Sequence, residues 1–298
     1  MKSKRHITAI FQAVFVTFLW STSWVLIKFG LRHQLPALSF AGLRYFIAFL
    51  CLVPFVLFNR HERERIAHLT RSDWFWLTAL GLFVITLTQG AQFLSLAYLP
   101  AAMVSLVANL TSIVVGVAGI WLIHEVPSRL QWLGVGITVA GVGVYFLPWS
   151  MPGAVGFGLL IAVAGMIFNA VSSLLGRKIN SLGHLSPLMV TFVSMGIGSV
   201  LLLLIGILTQ GIGTLMLSDW AIIGWLAVVN TAFAFTLWNH ILRTLTAIEA
   251  SVINSLMMPQ IAALAYLFLG ETISARKAAG LLLVGAGIVI VQKRRQEK

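Results

Sequence analysis

The chain has 298 residues, of which 59% are hydrophobic and only 9% charged, and its mean hydropathy is +0.97. These values exclude a water-soluble globular domain and predict an all-α polytopic membrane protein whose spanning helices are runs of about 20 apolar residues. The basic residues that give the net charge of +12 lie mainly in predicted loops and at the chain ends. They therefore indicate how the chain is oriented in a membrane and do not indicate nucleic-acid binding.

Ten transmembrane helices are predicted from the apolar runs between charged or Pro/Gly-marked breaks. In chain order they cover residues 8–30, 36–58, 72–97, 100–122, 128–147, 154–176, 185–209, 217–241, 246–269 and 274–292. The alternation expected of a membrane β-barrel is absent. The longest charged connection, residues 59–73, follows the second helix and is predicted to be a loop.

The basic residues predict the orientation of these helices. With the N-terminus in the cytoplasm, fifteen of the twenty Lys and Arg residues lie on the cytoplasmic side and four lie toward the outside. Basic residues near helix ends resist translocation, so both termini are predicted to be cytoplasmic, in a bacterial-type inner membrane. The first helix lacks a cleavage site and is predicted to stay attached. Cys51 is the only cysteine, which excludes an internal disulfide.

The first helix contains the stretch WSTSW, residues 20–24. Trp20 lies near the midplane, away from the headgroup depth at which tryptophan belts form. Trp20 and Trp24 share a helix face, and the hydroxyls between them can line a cavity or bond to helix carbonyls. Two interpretations stay open, close packing by small residues and a pocket or gate. Trp20, Ser23 and Trp24 are therefore candidate cavity residues.

Arg44 lies roughly two turns into the second helix. An arginine at that depth costs about 2.5 to 3.5 kcal/mol on insertion scales, unless it meets carbonyls, water or an anionic group. A structural role, holding the outer ends of helices together, is the favoured interpretation. Contact with a substrate carboxylate is the alternative.

Polar side chains form stripes on several later helices, and lipid should not face such stripes. They predict a shared central cavity, although a single buried amide often makes an interhelical hydrogen bond worth about 0.6 kcal/mol. With the residues of the first helix, the candidates for this cavity are Gln89, Gln92, Asn109, Asn169, Ser173, Trp238 and Asn254. The glycine-rich fifth and tenth helices are predicted to serve close packing or dimerisation instead.

Titratable groups are scarce at mid-depth. Asp73 and Asp219 are predicted to cap helices, and none of the acidic residues falls at mid-depth, so the carboxylate relay of many proton-driven carriers is not visible. Glu249, in the first turn of the ninth helix, is the carboxylate that could border the cavity. His240 is the one histidine that invites a titration role, although its position near a helix end favours a structural one.

The chain contains an internal repeat. Residues 96–141 align without gaps to residues 242–287, and ten of the 46 positions are identical, among them Ser105/Ser251, Glu125/Glu271 and Gly141/Gly287. Because an odd number of helices separates the copies, the two halves should have opposite topology. Inverted repeats are the construction of many secondary transporters, with the substrate site near the midplane between them. The halves are predicted as residues 1–148 and 149–298, five helices each.

These residues resemble the drug/metabolite transporter superfamily, and within it the EamA-type branch, which includes bacterial exporters of amino acids, aromatic ones among them. The resemblance is carried by Trp20 and Lys28 in the first helix, LRYFIAF with Arg44 in the second, the glutamate turns HEVPS and GETIS, and the basic C-terminal tail. The family often has a proline twelve residues before each glutamate. Pro259 fits, but Ile113 replaces it in the first half, so a helix break at this position would be one-sided.

The prediction for function is therefore an exporter or facilitator of small metabolites, most simply amino acids, working by alternating access. A drug or nucleotide-sugar exporter of the same fold is the runner-up. A membrane-embedded enzyme would need a motif such as HExxH or GxSxG, or a facing acidic pair in its helices, and the sequence contains none of these. A non-transporting receptor would not need the polar stripes. No enzymatic activity, cofactor, metal or nucleic-acid partner is predicted. The partners are a small-molecule substrate and the bilayer, and both a monomer and a homodimer stay open.

Overall fold

The structure is a computed structural model that describes residues 2–111, 113–115, 129–147, 153–181, 185–241, 244–245 and 253–292. Among these residues every regular element is a helix. The first half contains α1 (Lys2–Arg32), α2 (Ala37–Leu57), α3 (Arg60–Ala67), α4 (Arg71–Gly81), π1 (Leu82–Gln89), α5 (Gly90–Tyr98), α6 (Ala101–Asn109) and α7 (Arg129–Phe146). The second half contains α8 (Gly153–Ser181), α9 (Pro187–Gln210), α10 (Leu217–Ala227), π2 (Val228–Phe233), α11 (Ala234–Ile241), α12 (Met257–Leu269) and α13 (Ala275–Gln292).

Within the described residues, six helical segments are long and apolar enough to cross a membrane. They cover His6–Arg32, Ala37–Leu57, Arg71–Tyr98, Gly153–Gly176, Pro187–Gln210 and Leu217–Trp238. The other four predicted helices correspond to α6, α7, α12 and α13, which are shorter in the described part of the chain. Large apolar side chains such as Phe55, Leu208 and Leu282 point outward with 67%, 83% and 74% of their surface exposed. An apolar exterior of this kind fits a lipid environment.

The connection after α2 was predicted to be a loop, and the structure corrects this in part. Residues 60–67 form the short helix α3, because the Asn59 side chain accepts hydrogen bonds from the backbone N–H groups of His61 and Glu62 at 3.1 and 3.4 Å. A side-chain cap of this kind satisfies donors that the first turn leaves free. The buried Glu62 carboxylate also accepts a 2.5 Å hydrogen bond from Ser186, which fastens α3 to the start of α9.

Several helix pairs recur at the offset of 146 residues that relates the two aligned stretches of the sequence. The most extensive pairs are α7 with α13 and α2 with α9, and each of them joins helices that the repeat makes equivalent. In addition, α6 packs on α12, and these two segments belong to the fourth and ninth predicted helices. Other pairs recur between the halves: α5 packs on α8 as α11 packs on α1, and α9 packs on α4 and π1 as α2 packs on α10 and π2. This is the pattern expected when two similar halves pack around a pseudo-two-fold axis.

Local irregularities also repeat with the same offset of 146 residues. The π segment π1 begins at Leu82 and π2 begins at Val228. Asp73 and Asp219 each accept a backbone hydrogen bond in a capping arrangement at the start of α4 and α10. The alignment of the halves therefore extends back to residue 73. π-Helical turns are rare and often lie at functional positions. Their occurrence at equivalent positions therefore makes these two helices candidates for the functional site.

One expectation about the breaks in the fourth and ninth helices was wrong. Pro259 suggested a break in the second half only, whereas α6 ends at Asn109 with a turn at Leu110 and α12 begins at Met257 after a turn at Leu256. Leu110 and Leu256 are equivalent residues of the repeat. Proline is well tolerated in the first helical turn, so Pro259 is compatible with the start of α12. The break at Leu110 occurs although Ile113 stands at the position equivalent to Pro259, so a proline is not required for such a break.

Glycines bring α7 and α13 into close contact, which confirms the predicted packing role. A Cβ atom added to Gly141 would lie 2.9 Å from the Gly280 carbonyl oxygen, and one added to Gly287 would lie 2.7 Å from the Gly134 carbonyl oxygen. These two contacts are exchanged by the repeat. Small residues allow helix backbones to approach in this way when no hydrophobic driving force acts between helices.

We expect Gly141→Val to destabilise the protein, because overpacking a tight contact typically costs about 1 to 3 kcal/mol. Gly143→Val on the same helix is the matched control, since a Cβ added at Gly143 would meet no other described part of the protein within 4 Å beyond its own helix backbone. The measurement is the melting temperature of both variants in one detergent. Equal melting temperatures would contradict the close contact between α7 and α13.

Candidate functional site

An aromatic cluster joins the middle of α1 to π2 and α11. The Trp20 indole N–H donates a hydrogen bond of 3.1 Å to the Asn230 carbonyl oxygen. The Trp20 ring centroid lies 5.2 Å from that of Trp238 and 5.3 Å from that of Phe235, which are favourable tilted distances. The structure thus brings together the predicted residues Trp20 and Trp238, with Trp20 half-buried between the two halves of the chain.

The hydroxyls of WSTSW have mainly local partners. Thr22 donates to the Leu19 carbonyl oxygen at 2.7 Å, and the buried Ser23 donates to the Trp20 carbonyl oxygen at 2.5 Å. Ser21 also reaches across the bundle, with its hydroxyl oxygen 2.9 Å from Gln260 Oε1 on α12. The packing interpretation therefore accounts for much of the hydroxyl stretch, whereas Trp20 faces the cluster.

Asn230 ties π2 to α1 through its side chain. Its amide nitrogen donates to the Leu19 carbonyl oxygen and lies 3.1 Å from the Thr22 hydroxyl oxygen. Its Oδ1 is fully enclosed and has no hydrogen-bond partner in the described part of the chain. Asn230 is not among the residues predicted to line the cavity, because nothing in the sequence announces the π turn that positions it.

A polar cavity lies between π1, α5, α6 and α8. It has a volume of about 50 Å³ and is lined by Thr88, Gln92, Ser95 and Asn169 together with apolar side chains. The Asn169 amide donates to the Thr111 hydroxyl at 3.3 Å. Two of the predicted cavity residues, Gln92 and Asn169, thus share one cavity, and Thr88 and Ser95 are added to them.

The aromatic cluster and the polar cavity occupy equivalent places in the repeat. Gln89 and Gln92 correspond to Phe235 and Trp238 at the offset of 146 residues. The helices around them correspond as well, since α5 packs on α8 in the first case and α11 packs on α1 in the second. At these equivalent positions, therefore, the first half has amide side chains and the second half has aromatic rings.

Arg44 is buried between α2, α5 and π2, with 3% of its surface exposed. Its Nε donates a 3.1 Å hydrogen bond to the Thr231 hydroxyl. The guanidinium carbon lies 5.1 Å from the Tyr45 ring centroid and 5.8 Å from that of Phe93, within cation–π range. This hydrogen bond joins α2 to π2, and the choice between a structural and a binding role for Arg44 stays a prediction.

The remaining predicted residues lie apart from these two places. Trp24 is buried in the main apolar core, and the Asn109 amide donates to the Ser105 carbonyl oxygen at 2.8 Å. Ser173, Asn254 and His240 are exposed, and Gln89 is half-buried at the end of π1. Glu249 lies outside the described residues. Roles for all of them stay predictions.

One end of the bundle, here called the Glu271 end, carries several contacts between residues before 149 and residues after it. The Glu271 carboxylate accepts hydrogen bonds from the backbone N–H groups of Ala101 and Ala102, at 2.7 and 3.3 Å, at the start of α6. A carboxylate is favoured there because the first turn of a helix offers free donors and the positive end of its dipole. Gly270, with φ +68°, makes the turn that directs Glu271 to α6.

Three further contacts cross the same end. Arg32 donates to the Leu269 carbonyl oxygen at 2.7 Å, and His33 Nδ1 lies 2.8 Å from the buried Asp219 carboxylate. Ser39 donates to the Gly211 carbonyl oxygen at 2.5 Å. A pocket of about 270 Å³ beside Glu271 is lined by Tyr145 and Lys277 among others. Each of the contacts made by Glu271, Arg32, His33 and Ser39 joins a residue before 149 to a residue after it.

Comparison with known proteins agrees with the architecture. The sequence profile of the EamA-like transporter family matches residues 7–147 and again residues 156–292. An uncharacterized transporter of Bacillus subtilis, YvbV, is 29% identical over 96% of this chain and 92% of its own length. A protein of Salmonella typhimurium named a probable amino-acid metabolite efflux pump is 26% identical over 94% and 93%. A solved crystal structure, 19% identical, superposes over 95% of this chain and 97% of its own with a TM-score of 0.69.

Proposed function

Because the chain belongs to the EamA-like transporter family, we propose that it is a secondary transporter that exports small amphipathic metabolites, amino acids including aromatic ones, across a bacterial inner membrane. The substrate passes between the two halves, which have opposite topology and place both termini in the cytoplasm. The name of the Salmonella relative, a probable amino-acid metabolite efflux pump, supports this class of substrate.

The observation that carries the proposal is the chemical difference between equivalent positions of the repeat. The first half supplies Gln92 and its neighbours in the polar cavity, and the second half supplies Phe235 and Trp238 beside Trp20. Small-molecule sites are mostly apolar with a few placed polar groups that fix orientation. A substrate with one polar end and one apolar end is complementary to such a pair of walls.

Alternating access gives the transport step. Rocking one half against the other opens a central site to each side in turn, and the contacts at the Glu271 end are those that must break when that end opens. A neutral zwitterion gains nothing from the membrane potential, whereas each net charge moved is worth about 2.3 kcal/mol per 100 mV. A cytoplasmic surplus of the metabolite is then sufficient to drive export without a coupling ion.

The experiment is counterflow uptake of a radiolabelled amino-acid panel into proteoliposomes, with and without an imposed pH gradient. The proposal predicts uptake of at least one aromatic amino acid that does not depend on the gradient. Absence of flux for every amino acid tested would overturn the substrate class and would favour a drug or other metabolite. Flux that requires the gradient would overturn the uncoupled mechanism.

A further inference from the structure

Arg44 carries a charge that no described carboxylate neutralises. The five described acidic residues are engaged elsewhere: Glu62 with Arg65 and Ser186, Glu64 with Arg60, Asp73 with Thr70, Asp219 with His33 and Glu271 with α6. Within the described chain the Arg44 guanidinium makes one hydrogen bond, from Nε, and two ring contacts. Burying a cation in this way is unfavourable unless an anion or water completes its shell.

Thr231 determines which part of the guanidinium is left for such an anion. The Thr231 hydroxyl donates its proton to the Leu226 carbonyl oxygen at 2.8 Å, five residues earlier, across the wide turn of π2. Its lone pair is therefore free to accept from Arg44 Nε. With Nε occupied, the two terminal nitrogens form the remaining fork, and a guanidinium fork matches the two oxygens of a carboxylate.

The two terminal nitrogens are not fully enclosed, although Arg44 as a whole is only 3% exposed. Of the enclosed side-chain nitrogen and oxygen atoms in the described residues, Asn230 Oδ1 is the one left without a partner. The terminal nitrogens of Arg44 have no hydrogen-bond partner among those residues either, so they are not enclosed and keep some open surface. An anion that binds to them would displace no described protein acceptor.

We propose that Arg44, oriented by Thr231, is the carboxylate-binding residue of the substrate site. The ligand class is a small metabolite with a carboxylate, and the site lies between α2, α5 and π2, where both halves contribute. This inference rests on the proposed transport function, to which it adds the group that the protein recognises at the polar end of the substrate. A purely structural arginine would not distinguish an acid from its amide.

The test compares L-tryptophan with its carboxamide as competitors of counterflow and as thermal stabilisers of the purified protein. For the parent we expect the acid to be on the order of tenfold or more effective than the amide, since a bidentate charged contact is lost in the amide. In Arg44→Gln the acid should lose this advantage while the amide is unchanged. Arg44→Lys should keep part of it, and Thr231→Val should weaken it because Arg44 is no longer oriented.

Arg65→Gln is the matched control, because Arg65 pairs with Glu62 on α3, away from this site. A folded Arg44→Gln protein that still distinguishes acid from amide would overturn the inference, even if amino acids are transported. If Arg44→Gln does not fold, a parent protein that binds acid and amide equally overturns it.

A panel of other carboxylate and carboxamide pairs separates this inference from the proposed function. If no amino acid is transported but another carboxylate stabilises the parent and not Arg44→Gln, the substrate class fails and the role of Arg44 stands. If neither amino acids nor any other carboxylate stabilise the parent more than their amides, the role of Arg44 fails as well.

Discussion

Replacing Trp20 with alanine is expected to lower the efficiency of substrate counterflow by at least tenfold while the protein still inserts and folds. Trp20 contacts Trp238 and Phe235 and donates to the Asn230 carbonyl oxygen, so it connects α1 to the aromatic wall. Each aromatic contact contributes about 0.5 to 1.5 kcal/mol beyond burial, and burying an apolar substrate group against the rings adds about 1.5 to 3 kcal/mol. The variant loses both contributions.

Two further variants show which property of Trp20 matters. Trp20→Phe keeps a ring but removes the N–H group, so we expect a loss of only about 2- to 12-fold, the equivalent of one hydrogen bond of about 0.5 to 1.5 kcal/mol. Trp225→Ala removes a tryptophan that is half-exposed on α10, and transport should be nearly unchanged. Full counterflow by Trp20→Ala would remove the aromatic cluster from the transport path.

Replacing Glu271 with alanine is expected to open the Glu271 end. The carboxylate joins the halves through two hydrogen bonds to the start of α6, and hydrogen bonds to charged groups contribute about 1.5 to 3 kcal/mol. Since about 1.4 kcal/mol changes an equilibrium tenfold, the open population should rise by tenfold or more. The measurement is the labelling rate of Ser105→Cys, a fully buried position on α6, by a membrane-impermeant maleimide in a Cys51→Ser protein.

Glu64→Ala is the control for this experiment, because it removes the same charge from an exposed ion pair with Arg60 on α3. Its labelling rate at the Ser105→Cys reporter should equal that of the parent. Counterflow by Glu271→Ala should fall, since a carrier that leaves one end open cycles poorly. An unchanged labelling rate in Glu271→Ala would mean that this carboxylate does not hold the end closed.

Much of the architecture was predictable because it depends on local sequence. Apolar runs gave the helices, and a glutamate and a few small residues at a constant offset, such as Glu125/Glu271 and Gly141/Gly287, indicated the repeat. Glycine-rich helices were expected to pack closely, and the contact of Gly141 with Gly280 on α13 confirms it. The depth of Trp20 and Arg44 alone marked them as unusual, and both lie between the halves.

The rest depends on contacts distant in sequence. No pattern announces π1 or π2, because a wide turn is stable only when neighbouring helices and the carbonyl partners of residues such as Thr88 and Thr231 accommodate it. Without the π turn, Asn230 was one polar residue among several. The symmetrical break at Leu110 was missed for the same kind of reason, since proline was taken as its cause.

A reversible covalent link across the Glu271 end tests the central claim, transport by movement of one half against the other, most directly. In a Cys51→Ser protein, cysteines at positions 33 and 219 replace a pair whose side-chain atoms lie 2.8 Å apart, and a short reducible bifunctional reagent can join them. The account predicts that counterflow stops when they are linked and returns on reduction, whereas the unlinked double variant transports. Undiminished counterflow in fully linked protein would contradict it.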